Sequence, residues 1–248
     1  MTSKPGPSLT QDELDEFDLP PLQRLVVVVW ASVLGLITRL TDVALLMFKP
    51  RLLRPYVRLW FMERLHSPYR ARKSFEVVRV LNATGQRLRE LVYGELPMLS
   101  AVLLFRRVGL GAGSRLVDLG AGRGRALLAA RWCGAEARGV ELLTSHVTYM
   151  AGALARVGIQ LVEGDATLAQ LGDATHVFTN WAALTPETRA RLVERLRTCA
   201  PGTPILTVLH PIEAEGFVRR SSHRMLFTWG LERVWIQEYR PVPGAAPG

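Results

Sequence analysis

Residues 114–130 read SRLVDLGAGRGRALLAA, which is a short apolar strand, a glycine-rich turn and the start of a helix. A loop that binds a dinucleotide has the spacing G-x-G-x-x-G, and its third glycine lets the helix pack close to the strand. Here the three glycines are spaced two residues apart, at Gly120, Gly122 and Gly124. Arg125 occupies the third position of the dinucleotide spacing, and Asp118 precedes the loop. A carboxylate there suits a cationic group better than a pyrophosphate, so the stretch favours a different ligand.

The same pattern continues as short apolar strands that alternate with helices. The predicted strands are RLVDLG (115–120), ARGVEL (137–142), IQLVEGDA (159–166), THVFTNW (175–181), PILTVLH (204–210), HRMLFTW (223–229) and RVWIQEYR (233–240). Alternation of strands and helices predicts an α/β fold, with a mostly parallel sheet covered by helices on both faces. The last two strands flank a short turn at Gly230 and predict an antiparallel hairpin.

Acidic residues stand at the ends of three successive predicted strands. Asp118 ends the first, Glu141 follows 23 residues later at the end of the second, and Asp165 ends the third. Glu141 is placed to bind the hydroxyls of a ribose, and Asp165 to accept a hydrogen bond from the exocyclic amine of adenine. S-adenosylmethionine has these groups together with an ammonium and a sulfonium, and it has no phosphate. The pattern predicts a Rossmann-like class I methyltransferase sheet with S-adenosylmethionine as cofactor. The alternative is a Rossmann-like domain that uses the same acids structurally. The predicted cofactor-binding residues in this part of the chain are Asp118, Gly120, Gly122, Gly124, Glu141 and Asp165.

The ends of the fourth and fifth strands provide candidates for the methyl-acceptor side. Asn180 is placed to orient an acceptor amine or hydroxyl, with a turn or capping role as the alternative. Trp181 is placed to exclude water from the methyl group, with core packing as the alternative. His210 is a candidate base or an ordinary loop histidine. The sequence shows neither a zinc-ligand spacing nor a Ser-His-Asp arrangement, so no metal is expected.

The N-terminal region divides into an acidic and an apolar part. Residues 1–21 contain DELDEFD and several prolines, which predict a disordered acidic tail. Residues 25–48 read LVVVVWASVLGLITRLTDVALLMF, and in a helix Arg39 and Asp42 are i,i+3 neighbours that can pair. Apolar residues on all faces of a helix are typical of a membrane-attached segment. We predict a membrane-associated helix over residues 22–48, with a buried core helix as the alternative.

The positive charge of the chain is concentrated after this segment. Residues 49–92 hold eleven basic and three acidic residues, and so contribute +8 of the net charge of +9. Basic residues directly after an apolar segment indicate a cytoplasmic side and anionic headgroups. We predict that residues 25–58 contact a membrane surface or bilayer, and that the protein is membrane-associated with a cytoplasmic catalytic domain. No nucleic-acid-binding motif is present, so a nucleic-acid partner is not expected.

Several of these stretches resemble one family over residues 90–240. VYGE (92–95), VDLGAGRG (117–124), GVE, GDA and TNWAALTPETRARLVERL are similar to the non-SET, disruptor-of-telomeric-silencing type lysine methyltransferases. The resemblance implies that Tyr93, Gly94 and Glu95 lie over the cofactor and shape a lysine channel, and that Asn180 is the active-site asparagine. The chain departs from the family at Leu96, at Trp181 and in its apolar N-terminal region. That region is similar to membrane-attached lysine methyltransferases that act on an ATP-synthase subunit.

Together these features predict four regions. They are a disordered acidic tail (1–21), a membrane-associated helix (22–48), a basic helical linker or cap (49–92) and a methyltransferase domain (93–248). We expect N-methylation of a protein lysine, with Asn180, Tyr93 and Trp181 as catalytic residues and Glu95 as a further cofactor contact. Two alternatives stay open: methylation of a small or lipidic acceptor such as a quinone or secondary metabolite, and a non-catalytic module that binds the cofactor.

Overall fold

Helices and strands follow the predicted alternation. The computed structural model of the protein describes residues 21–65, 96–182, 184–227 and 230–241. The helices are α1 (Pro21–Met47), α2 (Leu53–Leu65), α3 (Met98–Arg107), α4 (Arg125–Cys133), α5 (Thr144–Ala155) and α6 (Pro186–Leu196), with short 3₁₀ helices at Pro50–Leu52 and Ala166–Leu168. The strands are β1 (Arg115–Leu119), β2 (Glu136–Glu141), β3 (Ile159–Glu163), β4 (His176–Thr179), β5 (Pro204–Val208), β6 (Phe217–Phe227) and β7 (Gly230–Tyr239). The predicted tail over residues 1–21 lies outside the described residues, except for Pro21, which begins α1.

The strands form one seven-stranded sheet in the order β3-β2-β1-β4-β5-β7-β6. The first five strands in that order pair in parallel, and β7 pairs antiparallel with both β5 and β6. This confirms the predicted α/β class with its antiparallel C-terminal hairpin, although β6 begins six residues before the predicted His223. Strand order reverses between β1 and β4, so the carboxyl ends of these strands border the crevice where open α/β sheets bind ligands.

Alternate residues of β1 face two apolar layers, one on each side of the sheet. Leu116 belongs to the same buried cluster as Leu127 of α4. Val117 belongs to a second cluster with Leu192 of α6. Because successive side chains of a strand point to opposite faces, β1 is held from both sides. Its carboxyl end is therefore fixed in place.

The apolar N-terminal helix forms as predicted, but the membrane location assigned to it is wrong. Within the described residues no helix is long and apolar enough to cross a membrane. One stripe of α1, spaced four residues apart, is buried: Leu34, Thr38, Asp42 and Leu46. Leu46 belongs to the same buried cluster as apolar residues of the sheet domain. Asp42 is wholly buried there and pairs with groups of the domain. In addition, the Leu45 carbonyl accepts a hydrogen bond from Trp132 Nε1 at 3.1 Å. The C-terminal half of α1 is thus packed on the domain.

The basic residues that follow α1 line a cavity against α4 and α5. Its volume is about 1020 Å³. The cationic side chains that line it are Lys49, Arg51, Arg54, Arg58, Arg131 and Arg156. Arg58 Nε donates to the Tyr149 carbonyl at 2.8 Å, and Arg131 Nε donates to the Val157 carbonyl at 2.9 Å. Part of the basic segment therefore packs on the sheet domain, while residues 66–92 lie outside the described residues.

Candidate functional site

The glycine-rich loop between β1 and α4 reverses direction at glycines with positive φ angles. The φ angle is +82° at Gly120, +55° at Gly122 and +88° at Gly124, a region that other residues rarely adopt. The loop is bonded to β2, because the N–H groups of Gly120 and Ala121 both donate to the Val140 carbonyl at 3.0 Å. The N-terminus of α4 therefore opens at the carboxyl edge of the sheet, beside the switch point.

A glycine on β2 provides the close helix–strand contact that the third glycine of a dinucleotide loop would allow. A Cβ atom at Gly139 would lie 2.5 Å from the Cβ of Ala121 and 2.7 Å from the Cδ1 of Leu127. No side chain larger than hydrogen fits there without a shift of its neighbours. Arg125, at the third loop position, can therefore carry a long side chain.

Arg125 joins α4 to the N-terminal helices. Its Nη1 lies 3.2 Å from Oδ2 of Asp42 in α1, and its Nη2 lies 2.5 Å from Oε1 of Glu63 in α2. The Tyr56 hydroxyl donates to the same Asp42 oxygen at 2.9 Å, and the Leu99 N–H donates to Oδ1 at 3.2 Å. Burial raises the pKa of Asp42, and the Arg125 charge with these two donors opposes the rise. The N-terminal helices are thus bonded to the residue that follows the glycine loop.

Asp118 is a buried carboxyl group next to this loop. The residue is 2% exposed, and its Oδ1 accepts no hydrogen bond from the part of the chain that the structure describes. Burial and then the charge of Glu141 raise the pKa of Asp118 to about 8. A cation placed beside this group would lower that pKa again, since an opposite charge favours the ionised form. The position therefore fits a ligand with an ammonium or sulfonium group.

Glu141, at the end of β2, holds the loops on either side of the crevice. Its Oε2 accepts from the Gly122 N–H at 2.7 Å, and its Oε1 accepts from the Leu143 N–H at 2.9 Å. Burial alone would raise the pKa of Glu141, but His146, with Nδ1 3.6 Å from Oε1, and the two N–H donors outweigh it and lower the pKa. Glu141 is thus ionised, and it lies at the predicted edge of the sheet. Its role in binding a ribose stays a prediction.

Asp165 lies at the same edge, after β3. Its Oδ1 accepts from both the N–H and the hydroxyl of Thr167 at 2.8 Å, and so caps the 3₁₀ helix at Ala166–Leu168. Asp165, Glu141 and Asp118 thus lie at or just beyond the carboxyl ends of three neighbouring parallel strands, in the order β3-β2-β1. The bond to Thr167 fixes Asp165 Oδ1, and the predicted contact with adenine stays a prediction.

The two candidates after β4 differ in burial. Asn180 is half-buried, directly beyond the carboxyl end of the strand. Trp181 is 1% exposed, belongs to the apolar cluster on the α6 side of the sheet, and donates from Nε1 to the His210 carbonyl at 2.9 Å. This geometry supports core packing for Trp181, and its predicted exclusion of water stays a prediction.

A strained turn after β5, which the sequence did not indicate, positions His210 beside these residues. Among the described residues other than glycine, only Leu209 has a positive φ, +68°. The His210 N–H donates to the Val208 carbonyl at 2.8 Å, which closes a γ-turn around Leu209. Trp235 Nε1 donates to the Leu209 carbonyl at 2.9 Å, while Trp181 holds the carbonyl of His210. Several bonds therefore keep the turn in a conformation that costs energy.

His210 is a weaker base than a solvated histidine. Burial and the positive charge of Arg189 lower its pKa from the ordinary value, although Glu213 opposes the shift. Its imidazole is therefore neutral over a wider pH range than that of a solvated histidine. Because β4 and β5 are parallel neighbours, His210 and Asn180 follow strand ends on the same edge of the sheet.

The tyrosine–glycine–glutamate loop that the resemblance implies, at Tyr93, Gly94 and Glu95, lies outside the described residues. The description resumes at Leu96, which is buried, and α3 begins at Met98. Tyr93 and Glu95 therefore remain predictions as contacts of the cofactor and of the acceptor.

No protein-family model and no curated protein matches the sequence, whereas solved structures do match the fold. An RNA methyltransferase from Salinibacter ruber, in complex with S-adenosyl-L-homocysteine, has a TM-score of 0.51 and 21% identity, over 62% of this chain and 99% of that one. TrmN from Thermus thermophilus has a TM-score of 0.49 and 20% identity, over 61% and 51%. The glycopeptide N-methyltransferase MtfA, complexed with S-adenosylmethionine, has a TM-score of 0.48 and 17% identity, over 57% and 93%.

The fold is that of the class I methyltransferases. The match to the Salinibacter enzyme carries this conclusion, together with the strand order and the antiparallel β6–β7 pair. At this level of identity the likeness concerns the fold.

Proposed function

We propose that the protein is a methyltransferase that binds S-adenosylmethionine and N-methylates a protein lysine. The observation that carries the proposal is Asp118, a buried carboxyl group beside a loop of positive-φ glycines, with one oxygen that accepts no hydrogen bond from the described residues. Such a group is costly unless a ligand supplies a donor or a positive charge. The solved Salinibacter enzyme is in complex with S-adenosyl-L-homocysteine, which supports the same ligand class here.

The residues at the carboxyl edge of the sheet fit this cofactor. Asp118 suits its cationic end, and Gly120 and Gly122 let the backbone approach the ligand. Glu141 and Asp165 are assigned to the ribose and adenine ends. When bound, S-adenosylmethionine supplies a methyl group on a positively charged sulfur. Positioning of the acceptor then accounts for most of the catalysis expected from the protein.

The acceptor side follows from Asn180 and His210. A lysine side chain has an ordinary pKa near 10.4, so its nitrogen must lose a proton before its lone pair can react. We assign that proton to the neutral imidazole of His210, and the Asn180 side-chain oxygen accepts a hydrogen bond from the amine and orients its lone pair. Tyr93 and Glu95 complete the channel by the resemblance described above. That resemblance, with its TNWAALTPE stretch at Asn180, supports lysine as the acceptor.

Transfer of label from S-adenosylmethionine tests this function. The purified chain is incubated with radiolabelled cofactor and host cell extract, beside Asp118→Asn and the control Asp173→Asn, an exposed carboxylate away from the site. We expect a labelled protein band, methyl-lysine by mass spectrometry, and about 100-fold weaker cofactor binding for Asp118→Asn alone. Label confined to the organic extract would assign a small or lipidic acceptor. Cofactor binding without label would assign a non-catalytic binding module.

The Asn180 role has its own test. With the labelled acceptor in hand, Asn180→Ala is expected to lower kcat about 10- to 100-fold while cofactor affinity stays within about twofold, since a positioning hydrogen bond contributes about 1–3 kcal/mol. Isothermal titration with S-adenosyl-L-homocysteine checks the affinity. A variant with the wild-type kcat would assign Asn180 to a turn or capping role.

A further inference from the structure

The face of α1 that points away from the sheet domain is apolar and regular. Its large side chains recur at alternating intervals of four and three residues, at Leu22, Val26, Val29, Val33, Leu36, Leu40, Val43 and Met47. Each is 41–72% exposed. We call these eight residues the α1 seam. A 4-3 repeat has a mean period of 3.5 residues, which is the signature of a helix that packs against another helix by knobs into holes.

The seam is separate from the stripe that holds α1 on the domain. The docked stripe contains Asp42 and Leu46, both wholly buried. The bond from Tyr56 and the ion pair with Arg125 keep this stripe in place. Rotation of α1 to bury the seam against its own domain would break these contacts. The seam therefore needs a partner from outside the described part of the chain.

We propose that the α1 seam pairs with the α1 seam of a second copy of this chain, forming a symmetric dimer. A second copy supplies the same 3.5-residue period and the same length, about 39 Å for 26 residues of helix. Around a two-fold axis, the same face of each copy forms the interface. The proposal stands on the geometry of α1 and does not depend on the function proposed above.

The size of the face agrees with a dimer interface. Trp30 and Ile37 flank the seam and are 65% and 49% exposed. With them, ten exposed apolar side chains present on the order of 800 Å², which is what each partner of a standard interface buries. This exceeds the largest apolar patch of a typical monomer, roughly 300–600 Å². The exposed area is therefore sufficient for a stable pair.

Charge does not oppose the pairing. Arg39 is the only charged residue between Leu25 and Thr41. Its guanidinium lies 5.8 Å from the centre of the Trp60 ring of the same chain, which directs it toward α2. The seam consists of four valines, three leucines and one methionine, so all eight of its residues are apolar. None of the eight seam residues is charged, so a helix-to-helix pair of two copies buries the seam without burying a charged seam residue.

Light scattering of the full chain tests the proposal. We expect twice the chain mass of 27.6 kDa at micromolar concentration. The double variant Leu36→Glu/Leu40→Glu should raise the dimer dissociation constant at least about 100-fold. The matched control is Leu103→Glu, an exposed leucine of α3 that lies outside the seam. Both seam leucines are exposed in the single chain, so the variant should keep its fold, and the far-UV circular dichroism of both variants checks this.

A cross-linking experiment locates the contact. In a Cys133→Ser background, Leu36→Cys lies near the middle of the seam and should be joined to its own copy by a short bismaleimide, whereas Leu103→Cys should not. A cross-link from Leu22→Cys as well would make the pair parallel. A monomer up to about 100 µM, or a dimer unaffected by the seam variant, would overturn the proposal. A monomer that binds lipid vesicles through the seam would also overturn it.

Discussion

The sheet domain and the N-terminal helices differ in how they treat apolar residues. The described residues of 96–241 leave few large apolar side chains exposed, because most pack between the sheet and its helices. Of the twenty large apolar side chains exposed among the described residues, fifteen lie in residues 22–65. The two regions are nevertheless one packed unit, because Arg125 bonds to both Asp42 and Glu63. The apolar pattern thus predicted the strands and helices of the sheet domain correctly, whereas it predicted the wrong environment for α1.

The difference has a physical cause. In the sheet domain, the spacing of apolar residues along each strand and helix indicates which face is buried, and short connections fix where the next element lies. Apolar residues on most faces of a helix indicate only that more than one face must be shielded from water. They do not say whether protein or lipid covers each face. The docked stripe of α1 was therefore not separable from its exposed face by composition alone.

The largest expected effect comes from breaking the link between the two regions. Arg125→Met leaves Asp42 buried without its cation, and we expect a loss of about 3–5 kcal/mol in the free energy of unfolding. Urea denaturation followed by circular dichroism measures it. The control Arg138→Met removes a half-exposed ion pair with Asp173 and should cost under about 1 kcal/mol.

A double variant sharpens this prediction. Asp42→Asn/Arg125→Met removes both charges, so it should recover part of the loss seen for Arg125→Met alone. Two separate unfolding transitions, with the second unchanged by Arg125→Met, would contradict the conclusion that the two regions unfold as one unit.

A smaller effect is expected from pH, and it concerns the sheet domain alone. The pKa of Asp118 is about 8 in the folded protein and has its ordinary value of 3.8 when unfolded. The folded state therefore holds a proton between these values that the unfolded state has released, so stability falls as pH rises from about 4 to 8 and is level above it. We expect the cofactor-free protein to lose on the order of 3–4 kcal/mol between pH 5 and 8 relative to Asp118→Asn.

Urea unfolding at a series of pH values measures this difference. Comparison of slopes is needed, because the new amide of Asp118→Asn changes stability at every pH. Saturating S-adenosyl-L-homocysteine, which has the ammonium group without the sulfonium, should flatten the wild-type slope. Parallel pH profiles for the two proteins would show that Asp118 is ionised in the empty site.

Much of the candidate site could be predicted from the sequence because it depends on local spacing. A strand followed by glycines fixes a turn at the sheet edge, and acids at three strand ends reach one edge in any parallel sheet of this order. Asp118, Glu141 and Asp165 lie there as expected. The bonds of Glu141 to the Gly122 and Leu143 N–H groups were not predictable, since they depend on the path of two loops.

The rest depends on contacts that are distant in sequence. Asp42 bonds to Tyr56, Leu99 and Arg125, which are 14, 57 and 83 residues away. Local spacing suggested only one partner for Asp42, namely Arg39, which lies three residues before it in the same helix. The requirement for glycine at position 139 likewise comes from the close packing of β2 against Ala121 and Leu127, and no turn is involved.

The smallest effect is expected at Leu209, where the sheet domain holds a strained residue that no sequence pattern indicates. Glycine adopts a φ of +68° without the cost that a leucine side chain incurs. Leu209→Gly should therefore gain about 1 kcal/mol in the free energy of unfolding, whereas Leu231→Gly, at another exposed leucine in β7, should lose a similar amount. If the strain serves to hold His210, the stabilised variant should also show a kcat several-fold below the wild type with unchanged cofactor affinity. Wild-type kcat in a stabilised Leu209→Gly protein would separate the turn from the chemistry, and would leave its bonds to Trp181 and Trp235 as a feature of packing alone.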